Sequence, residues 1–483
     1  MRELSVTDQF SGYLSLEKQI PYIDIINLIS LFAGSFICVY YLPWYVSSVF
    51  FLLMLPLFIF SKKDYFWFAF FFIIASAPAN IFAGSSFDSL YRLPFYNIFI
   101  GKLTPIDLFV ICAFFKSIYA AIKSREIKLK KEILYFLICI ALITIPLSFI
   151  YGTEKIAFFR ELRGAVFLSV IFSFTTLVRN TSEVKKFAYL LLPFLVLVLA
   201  DQFSIIFFKD LLINIFRTDI TIYMTSDNIS GNLRAISTSF YLVLLSLFFG
   251  LFFYNKKNEK AVLALLTISP IIIIITSIRV WTVSLFLLAG IYILLSKIPV
   301  RKFIKVIVPV VLIFLLLNLF SDFRHYFNET IFGRFTSVIT ALSHGVLTSY
   351  DSLVPRLADT KKIIDAIFFA PIFGSGFSHV YLTNKSGDLG FLNIILFSGI
   401  FGAIVMLVLL SRLLTDLYSL VKVSDHKRKA IALFSFFIAI IFPFLTTINF
   451  FAFDVPSIVF FISILIAVSQ IFLFENNKIK TLA

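Results

Sequence analysis

The chain has 483 residues, of which 60% are hydrophobic and 14% charged, with a mean hydropathy of +0.99. That much apolar surface excludes a soluble globular protein and makes lipid the solvent for most of the chain. The net charge of +15 does not point to nucleic acid, because the basic excess sits mainly in short loops between apolar runs, as membrane topology demands.

Apolar runs of spanning length recur along the whole sequence. They fall at 25–42, 46–60, 65–82, 106–122, 133–151, 158–178, 187–208, 240–254, 261–277, 280–295, 306–320, 389–410, 431–447 and 458–474. A helix needs roughly 20 residues to cross the hydrocarbon core, so the pattern predicts an all-α polytopic membrane protein of about fourteen spans. Residues 1–483 read as one integral membrane domain with a long extracytoplasmic loop, 321–389, that contains short amphipathic helices. The first nineteen residues are polar and carry no cleavable signal pattern, so no signal peptide is expected. Cys38, Cys112 and Cys139 lie far apart inside apolar runs and suit neither a disulfide framework nor a metal site.

Lysine sets the orientation. Lys62-Lys63, Lys123 through Lys131, Lys185-Lys186, Lys256-Lys257 and Lys427-Arg428-Lys429 fall on one side of alternating spans, which predicts that side, with both termini, to be cytoplasmic. The opposite side is richer in arginine, the planar fork suited to phosphate and carboxylate. Arg160 and Arg163 lie three apart in Phe158-Phe-Arg-Glu-Leu-Arg-Gly164, which puts both on one helix face with Glu161 turned away. Snorkelling to the interface is the alternative role for this pair. Arg279 sits in a minimal hairpin with little loop to solvate it, and Arg234 ends a polar outer loop.

Within the long loop, 352–369 reads as an amphipathic helix with Pro355 in its first turn and Pro371 and Gly374 stopping it. Leu357, Ile364 and Phe368 share one stripe, so the helix is expected on the outer membrane surface, covering the bundle. Gly374 and Gly376 permit close backbone approach. Asp388, between Gly387 and Gly390, sits where the chain re-enters lipid; it is a candidate base, or else a turn residue or helix cap. His325, His344 and His379 have no metal spacing and read as surface residues.

These stretches resemble the bacterial O-antigen polymerase and O-antigen ligase superfamily. Asn232-Leu-Arg-Ala-Ile-Ser-Thr238 is similar to its arginine–small–threonine stretch, and Thr276-Ser-Ile-Arg-Val-Trp281 to its serine–arginine–aromatic hairpin. A third match runs from Arg356 through Pro371, Gly374 and Gly376 to Asp388, Gly399 and Gly402. Ligases of the family carry histidine where Asp388 stands, so the chain looks more like the polymerase branch. The resemblance implies a metal-independent glycosyltransferase without cofactor that joins undecaprenyl-pyrophosphate-linked oligosaccharides at the outer face of the inner membrane. It implies Arg160, Arg163, Arg234, Arg279 and Arg356 at the pyrophosphate, with Asp388 and Arg279 catalytic. Membrane lipids and a chain-length regulator protein are the implied partners, and nucleic acid is not. A ligase acting on lipid A-core and a flippase of lipid-linked oligosaccharide are the alternative functions.

Overall fold

A computed structural model describes residues 22–76, 104–124, 129–207, 239–254, 260–276, 278–296, 308, 311–332, 336, 353–386, 389–423, 427–446 and 456–482. Among the described residues the regular structure is helical and no strand occurs. The first helices are α1 (Tyr22–Tyr41), α2 (Trp44–Phe60), α3 (Asp64–Ser76), α4 (Pro105–Ser124), α5 (Lys131–Ile150), α6 (Lys155–Phe167), α7 (Val170–Leu177) and α8 (Thr181–Phe207). After them come α9 (Phe240–Phe253), α10 (Lys260–Ile275), α11 (Arg279–Ser296) and the short α12 (Ser321–Tyr326). The loop helices α13 (Leu353–Ile367) and α14 (His379–Asn384) precede α15 (Gly390–Val423), α16 (Lys427–Thr446) and α17 (Pro456–Leu482).

Five of the described helices are long and apolar enough to cross a membrane, at Pro105–Ser124, Lys131–Ile150, Gly390–Lys422, Lys427–Leu445 and Ser457–Asn476. Large apolar side chains such as Phe60, Ile122, Phe286 and Leu294 stand fully outside the bundle. Water would penalise that surface by roughly 25 cal/mol per Å² of apolar area, whereas lipid accepts it.

Polar contacts sort the helix ends into two sets. At one end Lys63 Nζ and Tyr65 Oη both donate to Asp24 at 2.6 Å, and Lys116 reaches Asp64 at 2.6 Å. The same end holds the Lys130–Asp416 ion pair and the bond from Thr181 N to Glu475 Oε1 at 2.9 Å. At the other end Ser239 Oγ donates to Ser76 O, Tyr326 Oη to Ile275 O, and His379 N to Gly152 O. The first end is the lysine-rich one, so the sequence-based sidedness and the packing agree on which loops lie together.

α17 is the central helix: 94% of its apolar window is buried, against α3, α6, α7, α8 and α9. Over 458–474 its sequence is apolar on every face apart from the buried Ser463, Ser469 and Gln470, as expected of a helix without a solvent face.

Two spans are irregular where they meet the loop. In α5 a π turn, Ile140–Thr144, precedes Pro146, whose ring and missing N–H disrupt the helical ladder there. In α15 the helix breaks at Gly399 (φ 68°, ψ −175°), a conformation almost confined to glycine. Residues 371–376 fill that break. Ile400 N and Phe401 N donate to the carbonyls of Pro371 and Ile372, while Ser375 N and Gly376 N donate to those of Leu396 and Phe397, all at 2.9–3.0 Å. The apolar run 389–410 is therefore part of a membrane-length helix that is interrupted at Gly399 and braced there by a docked loop. Residues 158–178 are likewise divided, at 168–169, between α6 and α7.

A Cβ on Gly399 would collide with the backbone of Ile372, and one on Gly376 with Ser148 N and Thr144 O. Gly399→Ala is expected to lower the thermal unfolding temperature of the detergent-solubilised protein, with at least about 1–3 kcal/mol from backbone strain alone. Gly290→Ala, at a helical position with nothing within 4 Å, is expected to leave that temperature unchanged or raise it.

Candidate functional site

The charged corner of the molecule lies at the end opposite the lysine-rich one, where α6 begins. Phe158 N donates to Glu154 O at 2.8 Å to open that helix, which then carries Arg160, Glu161 and Arg163 within one turn. Arg163 pairs through Nε with Asp107 Oδ1 at 2.8 Å. Asp107 is itself fixed by a reciprocal cap at the start of α4: Thr104 N and Oγ1 donate to Asp107 Oδ2, and Asp107 N donates to Thr104 Oγ1.

Glu161, turned away from the arginine face as the helix spacing suggests, points into the protein. Its side chain is 0% exposed, and Lys385 Nζ donates to Glu161 Oε1 at 2.5 Å. The reason is tertiary: Lys385 arrives from the loop, directly after α14, and its Nζ also lies over the Tyr381 ring. Two buried carboxylates, Asp107 and Glu161, thus each hold a cation, which offsets their cost of desolvation.

The loop reaches α6 along a set route. From the break in α15, Phe377 N donates to Ser148 Oγ at 2.6 Å, Thr153 Oγ1 to Phe377 O, and Lys362 Nζ to Thr383 O. The chain then closes on itself. Ser386 N donates to Asn393 Oδ1, Asn393 Nδ2 to Ser386 O, and Ser386 Oγ to Asp359 Oδ2. These bonds secure both flanks of 387–388, although Asp388 itself lies outside the described residues.

Arg234 and His344 also lie outside the described residues. The backbones of Arg160, Arg279 and Arg356 are in α6, α11 and α13, but their side chains are not among those described. Arg279 begins α11 with only three residues between it and the end of α10, so the short hairpin is present. The structure therefore joins the Arg160–Arg163 stretch to the loop that leads to Asp388, while α11 packs chiefly on α16. His325 and His379 are exposed, as expected.

The amphipathic helix forms, with its apolar stripe on the face turned away from the bundle. Leu357, Ile364 and Phe368 are exposed, and Ile363 is the residue buried against the bundle. Apolar spacing marks a face without saying whether protein or lipid covers it.

Sequence reasoning passed over Asp107, Lys385 and Asp201. The Thr104-Pro-Ile-Asp107 capping pattern was a local signal for the first. Lys385 had none, since its partner is 224 residues away. Asp201, the only acidic residue in the run 187–208, was visible as an ionisable group in an apolar span. It is 1% exposed, and neither carboxylate oxygen has a hydrogen-bond partner among the described residues. No family model matches the chain, and no curated protein matches it in sequence.

Lys385→Met removes the cation from buried Glu161 and is expected to cost about 3–5 kcal/mol of stability. Adding Glu161→Gln should restore most of that loss; simple additivity of the two in thermal unfolding would contradict a coupled pair. Asp201→Leu, which removes a buried carboxyl without a partner among the described residues, is expected to raise the unfolding temperature by the same measurement.

Proposed function

We propose that this chain is a polysaccharide polymerase of the bacterial inner membrane, with both termini cytoplasmic and about fourteen spans. It joins undecaprenyl-pyrophosphate-linked oligosaccharide repeats at the outer face. The observation that carries the reading is the Lys385–Glu161 ion pair. It ties the arginine-bearing turn of α6 to the loop that runs into Asp388, so two stretches with the right chemistry share one end of the bundle. That end is opposite the lysine-rich one, as an extracytoplasmic site requires.

In the reaction a hydroxyl oxygen of an incoming lipid-linked repeat attacks the anomeric carbon of the growing chain. The new C–O bond forms as the bond to pyrophosphate breaks, and undecaprenyl pyrophosphate leaves with the electron pair. Arg160, Arg234, Arg279 and Arg356 neutralise the charge that develops on the leaving group. Arg163 is the least suited of the arginines to that task, because Asp107 already neutralises it. Asp388 accepts the proton of the attacking hydroxyl.

Purified protein supplied with lipid-linked repeats is expected to extend them. Asp388→Asn should abolish extension, because the amide keeps the shape of the carboxylate but takes no proton. Asparagine caps helices and turns as well as aspartate does, so near-native extension by that variant would leave Asp388 a structural residue. Arg279→Ala is expected to lose about 2–5 kcal/mol of stabilisation, tens to thousands of fold in rate. Failure of the native protein to extend any lipid-linked repeat would remove the polymerase reading itself.

A further inference from the structure

The tip of the outer loop, Phe368-Phe-Ala-Pro-Ile-Phe373, has no charged or hydrogen-bonding side chain and projects large apolar groups away from the protein. Phe368 is 75% exposed, and Phe369, Ile372 and Phe373 are exposed with it. Leu357 and Ile364 continue the surface up α13. Facing water, such a patch would be a liability; it needs a partner.

Three further observations identify that partner. The tip is level with the membrane-crossing helices rather than above them: it docks at Gly399, nine residues or about 14 Å along α15 from Gly390. The segment that follows it packs against Thr144, six residues or about 9 Å before the end of α5. The surface is also continuous with the apolar outer face of α15. Phe373 and Phe401 have ring centroids 5.8 Å apart, and Ile400, Phe401 and Ile404 are exposed beside them. Finally, five backbone groups of the irregular stretch 371–376 are paired with protein. Pro371 O and Ile372 O accept from α15, Gly374 N donates to Ala370 O, and Ser375 N and Gly376 N donate back to α15. Water does not demand such pairing of a loop, whereas hydrocarbon does.

We propose that residues 368–373 form a re-entrant ledge inserted among the acyl chains of the bilayer, with α13 rising from it to the interface where Lys361 and Asp365 are exposed. The ledge anchors the loop from the lipid side while Lys385 and Ser386 anchor it from the protein side. Its occupant is lipid, independently of the reaction the protein performs.

The test uses the full chain with Cys38→Ala, Cys112→Ala and Cys139→Ala, reconstituted in phosphatidylcholine–phosphatidylglycerol vesicles. An environment-sensitive fluorophore is attached at Ile372→Cys, at Phe368→Cys or, as a reference, at Lys361→Cys. Probes at 372 and 368 are expected to emit at shorter wavelength than the probe at 361. They should be quenched by lipids spin-labelled on the acyl chain and shielded from aqueous iodide, with the reverse at 361. Iodide quenching at both 372 and 368 without quenching by the lipids would overturn the proposal. So would protection from both quenchers together with cross-linking between copies through Ile372→Cys, because the occupant would then be a second chain. Phe368→Cys carries the test alone if the substitution at 372 prevents a monodisperse protein.

Discussion

Hydrocarbon offers no hydrogen bonds, and the shape of this chain follows from that constraint at one place above all. α15 stops being a helix at Gly399, which strands carbonyls on one side of the break and N–H groups on the other. A stranded pair of that kind costs several kcal/mol in lipid. Residues 371–376 supply the missing partners through four backbone bonds. The fit is close enough that Gly374, Gly376 and Gly399 each occupy space where a side chain would meet backbone. Once the loop is seated, the course of 377–386 is narrowly determined, and Lys385 is delivered to Glu161.

The charges then act as fasteners between parts that lie far apart in the chain. Asp107 and Glu161 sit on neighbouring helices, and each is buried against a cation from elsewhere. A buried ion pair contributes little net stability relative to an apolar packing, but breaking one is expensive. Such a pair is therefore better at rejecting wrong arrangements than at strengthening the right one. Here it rejects any docking of the loop that fails to bring residue 385 to the first turns of α6.

Much of this was legible in the sequence, for particular reasons. Apolar length marked the spans, and the apolar spacing and terminal Pro371 marked α13, because these are local and periodic signals. The glycines were visible as places of close approach, but what approaches them was not. Gly399 lies inside an apolar run that reads as one span, since the bonds replacing its helical ladder come from a segment more than twenty residues earlier. The partner of Glu161 was not visible, because a helical wheel relates a residue to its own helix only. The stripe of α13 was identified correctly, but apolar spacing does not say what covers it, because lipid and protein interior look alike to a leucine. In the candidate site, the α6 stretch and the loop were recognised separately, and only the fold joined them.

The central position of α17 bears on the order of assembly. Five helices that surround it, α3, α6, α7, α8 and α9, all precede it in the chain. Between the end of α9 at Phe253 and the start of α17 at Pro456 lie roughly 200 residues, about 10–40 s of synthesis at 5–20 residues per second. Throughout that interval the earlier helices are in the bilayer with their inner faces uncovered by protein. Acyl chains must occupy the future centre of the molecule and be expelled sideways when α17 enters. The surrounding ring therefore has to keep a lateral opening until then, and closing it is a late event in biogenesis, distinct from insertion of the individual spans.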